Sequence, residues 1–262
     1  MKRLSSAALL LFMLLIAACG NIPGAVPTSA PTSTNTPEPT FTALPTETST
    51  PLPTSTPDVT ATAAVKSTQV AEGVLEELNT LLSDSDIPYQ QGHLAWQQTK
   101  PMTISMSGPD SNYMEIDENL TAANFILKTD VTWNATGLLI CGAIFRSEPN
   151  LEKGAQYQFV YMRFSGLPAW AIEVHEYGQL QNSPTRVQFS NVLDLGNDAT
   201  NQIVLIAREE QFNLYINQMD QGRYFDYSKQ RMDGSFAFLG WQQSGKGSCE
   251  FKNSWVWALD KE

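Results

Sequence analysis

The sequence predicts an all-β protein in which two antiparallel sheets pack face to face as a sandwich. Three observations carry this expectation. From residue 87 onward, segments of strand length rich in Val, Ile, Phe, Tyr and Trp follow one another. Gly, Asn, Asp, Ser and Pro punctuate them. No long helical periodicity interrupts the series, so the crossover helices that a parallel sheet needs are missing.

The chain begins differently. Lys2 and Arg3 precede an apolar run, Ala7 to Ala18, that is too short to span a bilayer as a stable helix. Ile16-Ala17-Ala18-Cys19 closes it, and this order resembles a bacterial lipobox. The resemblance implies that residues 1–18 are a lipoprotein signal peptide and that the Cys19 thiol carries a diacylglycerol. Buried acyl chains contribute about 0.8 kcal/mol per methylene, so two or three would tether the chain without a transmembrane span. The expected place is the cell envelope, on the outer face of a bacterial membrane.

Residues 19–57 follow as a linker. Between Pro27 and Pro57 there are 8 Pro and 11 Thr, with Glu38 and Glu47 the only charges. Proline fixes φ and removes backbone donors, so an extended, disordered spacer is expected here. Residues 58–86 change texture again. Asp58 is a candidate N-cap, and Leu75, Leu78 and Leu82 fall on one helical face beside Ala71 and Val74. The stripe is expected to dock on the following domain. Oligomerisation through a short coiled coil is the alternative, disfavoured by a stripe of barely two heptads and by Gly73.

Residues 87–262 form the expected sandwich domain. They hold all six Trp and both His. "FILKTDVTW" places Phe125, Leu127, Thr129, Val131 and Trp133 on one face and Lys128, Asp130 and Thr132 on the other. "GLLICGAIFR", "YQFVYMRFSG", "AWAIEVHEYG", "NQIVLIAREE", "FNLYINQ", "SFAFLGW" and "CEFKNSWVWAL" supply further strands. Leu214-Tyr215-Ile216-Asn217, a turn over 218–222 and the run from Gly234 to Gly240 resemble the concanavalin A-like jelly rolls, including laminin-G-like modules and 3-keto-disaccharide hydrolase-like domains. "FILKTDVTW" and "CEFKNSWVWAL" resemble that group's first and last core strands, which pair. The likeness covers roughly residues 100–259. It implies a jelly-roll sandwich that hosts lectins, glycosidases and adhesive modules alike.

With Cys19 acylated, Cys141 and Cys249 are the remaining pair. Outside the cytoplasm they are candidates for a disulfide, and two buried thiols are the alternative. Formal charge is −11, which disfavours nucleic acid and anionic lipid surfaces as partners.

Candidate ligand-binding residues are Arg146, Arg163, Glu173, His175, Tyr177 and Trp241. Glu173, His175 and Tyr177 share a strand face by alternation. Phe236 and Phe238 are expected in the core, which turns Trp241 outward. Aromatic planes stack on sugar C–H faces and arginines donate paired hydrogen bonds. Glycosidases of this fold set two carboxylates on one strand face, whereas Glu173 and Glu176 point to opposite faces, and the intervening Asp is absent. No catalytic residue, metal site or cofactor is therefore assigned. Asp110, Glu115, Asp117 and Glu118 offer hard oxygen ligands for Ca²⁺ but lack a calcium-loop pattern, so an acidic solvated loop is expected there. The expected function is glycan or envelope-polymer binding. A carbohydrate-active enzyme and a structural module without ligand are the alternatives.

Overall fold

The computed structural model describes residues 59–260 apart from 165 and 230, with side chains from 67 onward. The expected signal peptide, Cys19 and the expected linker lie outside the described residues. Residues 56–262 form one compact unit.

A helix, α1 (Val59–Leu81), leads into fourteen strands. In chain order these are β1 (His93–Gln97), β2 (Met102–Ser107), β3 (Asp110–Glu115), β4 (Phe125–Thr136), β5 (Leu139–Ser147), β6 (Gln156–Phe164) and β7 (Leu167–Glu176). Then come β8 (Gln179–Asn182), β9 (Gln188–Phe189), β10 (Thr200–Arg208), β11 (Gln211–Ile216), β12 (Met219–Phe225), β13 (Ser235–Gln242) and β14 (Lys246–Ala258). Two seven-stranded sheets result. One runs β1-β14-β4-β10-β11-β12, with β2 also on β14; the other runs β3-β13-β5-β6-β7-β8, with β9 also on β7. The pairings are antiparallel. This is the two-sheet antiparallel sandwich that the sequence predicts.

The core between the sheets follows the alternation of β4: Phe125, Leu127, Val131 and Trp133 are buried. They meet Phe145, Phe159, Tyr161, Trp170, Phe236 and Phe238 from the other sheet. Phe238 and Phe251 stack with ring centroids 4.0 Å apart. β4 and β14, the expected first and last core strands, pair from Phe125↔Ala258 to Thr136↔Lys246. Cys141 on β5 and Cys249 on β14 form a disulfide between the sheets, with Cα atoms 5.8 Å apart.

The outer face of the first sheet is apolar as well. Ile126, Val204, Ile206, Trp255 and Trp257 project from it and are covered by Val74, Leu78 and Leu82 of the helical segment. Trp255 Nε1 donates to Glu77 (2.8 Å), and Trp257 Nε1 to the Tyr89 carbonyl (2.9 Å). Lys128, an outward residue of β4, lies beneath the helix. Its ammonium sits 3.3 Å from both Glu77 and Asp130 and donates to the Asn253 carbonyl at 3.2 Å.

Two departures from the expected elements concern turns and acids. The turn after β11 is Asn217-Gln218, both at positive φ (49° and 67°), so β12 begins at Met219. Asn217 tolerates that conformation, and its side chain holds the turn by donating to the Val192 carbonyl and accepting from Gln202 N–H. Asp110 and Glu115 belong to strand β3 rather than to a loop, on opposite faces.

Replacing Leu78, fully buried on the docked face of α1, with Ala is expected to lower stability by about 2–5 kcal/mol, read from urea unfolding followed by tryptophan fluorescence. Cys141→Ala/Cys249→Ala opens a loop with a sequence separation of 108. It is expected to cost about 4–5 kcal/mol on the chain-entropy model, measured in the same way.

Candidate functional site

The second sheet keeps its outer face open. Alternation sends Phe236 and Phe238 inward on β13, so Leu239 and Trp241 face outward. On β3, Met114 packs against the core and Ser111 and Tyr113 point away from it. Ile140 on β5, Val160 and Gln158 on β6, and Glu173 and His175 on β7 complete the face. Together with Gly178 they line a groove of about 380 Å³.

Register fixes the floor. One row across the sheet reads Tyr113, Leu239, Gly142, Val160 and Ala171. Gly142 is required there, since a Cβ would lie 2.1 Å from the Phe159 carbonyl oxygen. With Ala171 it keeps the middle of the floor low. Tyr113 and Trp241 stand on one side, both partly exposed. Glu173 and His175 stand diagonally across the floor, three strand spacings over and, for Glu173, four residues along from Trp241, or about 19 Å. Glu173 Oε2 and His175 Nε2 are hydrogen-bonded at 2.8 Å, with about four-fifths of each side chain covered. The groove thus opposes an aromatic wall to a wall of paired acid and imidazole over an apolar floor. That combination stacks on C–H faces and exchanges hydrogen bonds with hydroxyls.

Among the described residues, Glu173 is the one carboxylate lining this groove. Glu115 has the same row and face, but it lies four strand spacings away, about 19 Å. A two-carboxylate glycosidase needs about 5–9.5 Å between its groups. Among the described residues, no cluster of three or more His, Cys, Asp or Glu gathers as a metal site.

The structure brings together Glu173, His175 and Trp241 and separates the other three candidates. Arg146 is not a groove residue but is fully buried. The register of β13 against β5 shifts between Ser235 and Ala237, and Arg146 has φ of 50°. This bulge breaks the alternation and turns the side chain inward, over the ring of Phe212 at 5.6 Å. The guanidinium donates to the Ala123 carbonyl (2.9 and 2.7 Å) and to that of Glu209 (2.6 Å). Burial lowers its pKa to about 10.

Arg163 cannot join Arg146 either. β5 and β6 are antiparallel, so the ends of the two strands lie at opposite ends of the sheet. Arg163 has the inward parity of Phe159 and Tyr161, and its guanidinium donates to the Leu195 carbonyl. Tyr177 leaves the face of Glu173 and His175 because β7 ends at Glu176. Tyr177 and Gly178 form a turn at positive φ (53° and 71°), which leaves the tyrosine 74% exposed. Sequence reasoning missed Ser111, Tyr113, Gln158 and the glycine floor. The alternation in "SNYME" was the available signal for Tyr113.

A second cleft of about 430 Å³ lies between α1 and the first sheet. Its buried cation, Lys128, is already held by Glu77 and Asp130, and Lys252 by Glu250 at 2.6 Å.

No protein-family model and no curated protein matches this sequence. Among solved structures, the carbohydrate-binding module CBM66 from Bacillus subtilis is similar at 14% identity and a TM-score of 0.44, over 58% of this chain and 83% of that one. A Bacteroides ovatus GH16 protein of a mixed-linkage glucan locus, in complex with product, has 10% identity and a TM-score of 0.44 over 64% and 84% of the two chains. The Bacillus licheniformis β-glucanase has 9% identity and a TM-score of 0.42 over 63% and 82%.

Replacing Arg146 with Met leaves the Ala123 and Glu209 carbonyls without their donor. It is expected to destabilise the chain by about 3 kcal/mol, measured by chemical denaturation.

Proposed function

We propose that this chain is an exported lipoprotein whose sandwich domain binds extracellular glycan or a related envelope polymer through the groove of the open sheet. The observation that carries the reading is the facing of Trp241 and Tyr113 against the Glu173–His175 pair over a floor kept low by Gly142. Aromatic rings supply a stacking surface for pyranose C–H groups. The acid and imidazole, fixed by each other, supply an acceptor and a second polar partner for hydroxyls. One groove carboxylate favours binding over hydrolysis by a carboxylate pair. The lipobox-like segment ending at Cys19 supports the tethered placement, and the Pro/Thr-rich linker supports display away from the lipid surface.

Residues 56–262 are expected to be retarded by one or more polysaccharides in affinity electrophoresis, with quenching or shift of tryptophan emission. Trp241→Ala is expected to weaken that binding about tenfold. Glu173→Gln is expected to weaken it severalfold, while Tyr177→Ala leaves it unchanged. Retention on no glycan across a broad panel would sink the binding reading. Turnover of a glycan that Glu173→Gln abolishes would replace it with an enzymatic one. The mass of the mature full-length chain tests the tether: an unmodified thiol at Cys19 removes it.

A further inference from the structure

We propose that the end of the open sheet around the β6–β7 hairpin is a membrane-contact surface whose occupant is the headgroup region of an anionic lipid bilayer. Phe164 and Leu167 pair across that hairpin, and Phe189 lies opposite Ala169 on the neighbouring β9. The Phe164 and Phe189 rings are 6.3 Å apart. Their exposures are 45% for Phe164, 55% for Leu167 and 58% for Phe189, with Val187 nearby in sequence at 39%. Contiguous apolar exposure of this kind marks a partner or membrane site rather than a solvated surface.

Charge decides between occupants. The chain as a whole carries −11, with 27 acidic residues. Yet residues 159–172 and 183–193, which build this end, contain no Asp or Glu, and Asp194 is the first acid to follow them. They do contain Arg163 and Arg186, each directly before an apolar exposed residue, Phe164 and Val187. Both arginines are exposed, and neither forms an ion pair among the described residues. Apolar tips flanked by arginines without an acidic partner match a bilayer interface: the rings and aliphatic groups enter the acyl boundary, Arg186 stays with phosphate, and Arg163, whose guanidinium donates to the Leu195 carbonyl, adds its charge at the rim. A sugar chain is the weaker match, since Leu167 and Val187 offer no stacking plane. The contact is independent of the lipid on Cys19; it rests on the proposed envelope placement, in which the linker sets how far the domain reaches and this patch returns it to a lipid surface.

The test is flotation of residues 56–262, which lack Cys19, with vesicles of phosphatidylcholine and phosphatidylglycerol at 3:1 and of phosphatidylcholine alone. The unit is expected to float with the anionic vesicles and to lose binding as salt rises. Phe164→Ser/Phe189→Ser is expected to reduce the bound fraction about tenfold. Arg163→Gln/Arg186→Gln is expected to remove the preference for anionic vesicles. All four side chains are exposed, and unchanged circular dichroism would establish that the variants fold. Wild-type protein that stays in solution with both vesicles overturns the proposal. So does Phe164→Ser/Phe189→Ser floating like wild type. Loss of polysaccharide retention in that variant, with no vesicle binding by wild type, would assign the patch to glycan instead. Polysaccharide retention by the wild type reads the groove separately, so failure here leaves the proposed function standing.

Discussion

The packing of Val74, Leu78 and Leu82 onto Ile126, Val204, Ile206, Trp255 and Trp257 is the contact on which the rest depends. A sandwich sheet usually has one buried face and one wet face. Here the sheet built on β4 and β14 is apolar on both. Its inner residues join the core, and its outer residues need a cover. The helix that precedes the domain supplies it, which makes α1 part of the folded unit rather than a spacer. The same contact places Lys128 out of water, and Glu77 and Asp130 then supply the charges that a buried ammonium requires.

Covering one sheet leaves the other free for chemistry. The open sheet carries a mixed outer face, with Leu239, Val160 and Ile140 between Trp241 and Glu173. Its floor is shaped by what is missing from Gly142 as much as by what is present. A side chain there would collide with the backbone of β6. The low floor and the two unlike walls therefore arise from one register, shared by five strands.

The legible parts of the fold were those with simple periods. The two-residue repeat in "FILKTDVTW" identified both the strand and its core face, and the leucine spacing identified the docking stripe of the helix. Trp241 was read outward because Phe236 and Phe238 alternate with it. What escaped were the places where the period breaks. One extra residue in β5 turned Arg146 into the interior, and no residue type announces such a bulge. A turn at positive φ removed Tyr177 from its expected face, although Gly178 beside it was a partial signal. Arg163 failed for a topological reason: the C-terminal ends of two consecutive antiparallel strands lie at opposite ends of the sheet. β3 was hidden by its acids, which suggested a loop although they sit on an edge strand where charge is tolerated.

The Cys141–Cys249 bond has a consequence for how the molecule fares among proteases. It closes a covalent ring over most of the β strands, from β5 to β14. Exposed tips such as Tyr177 and Met219 lie inside that ring. A single cut at any of them leaves the two pieces joined through sulfur, with the sheets still paired on both sides of the nick. The chain can thus be clipped in its most accessible turns and shed nothing.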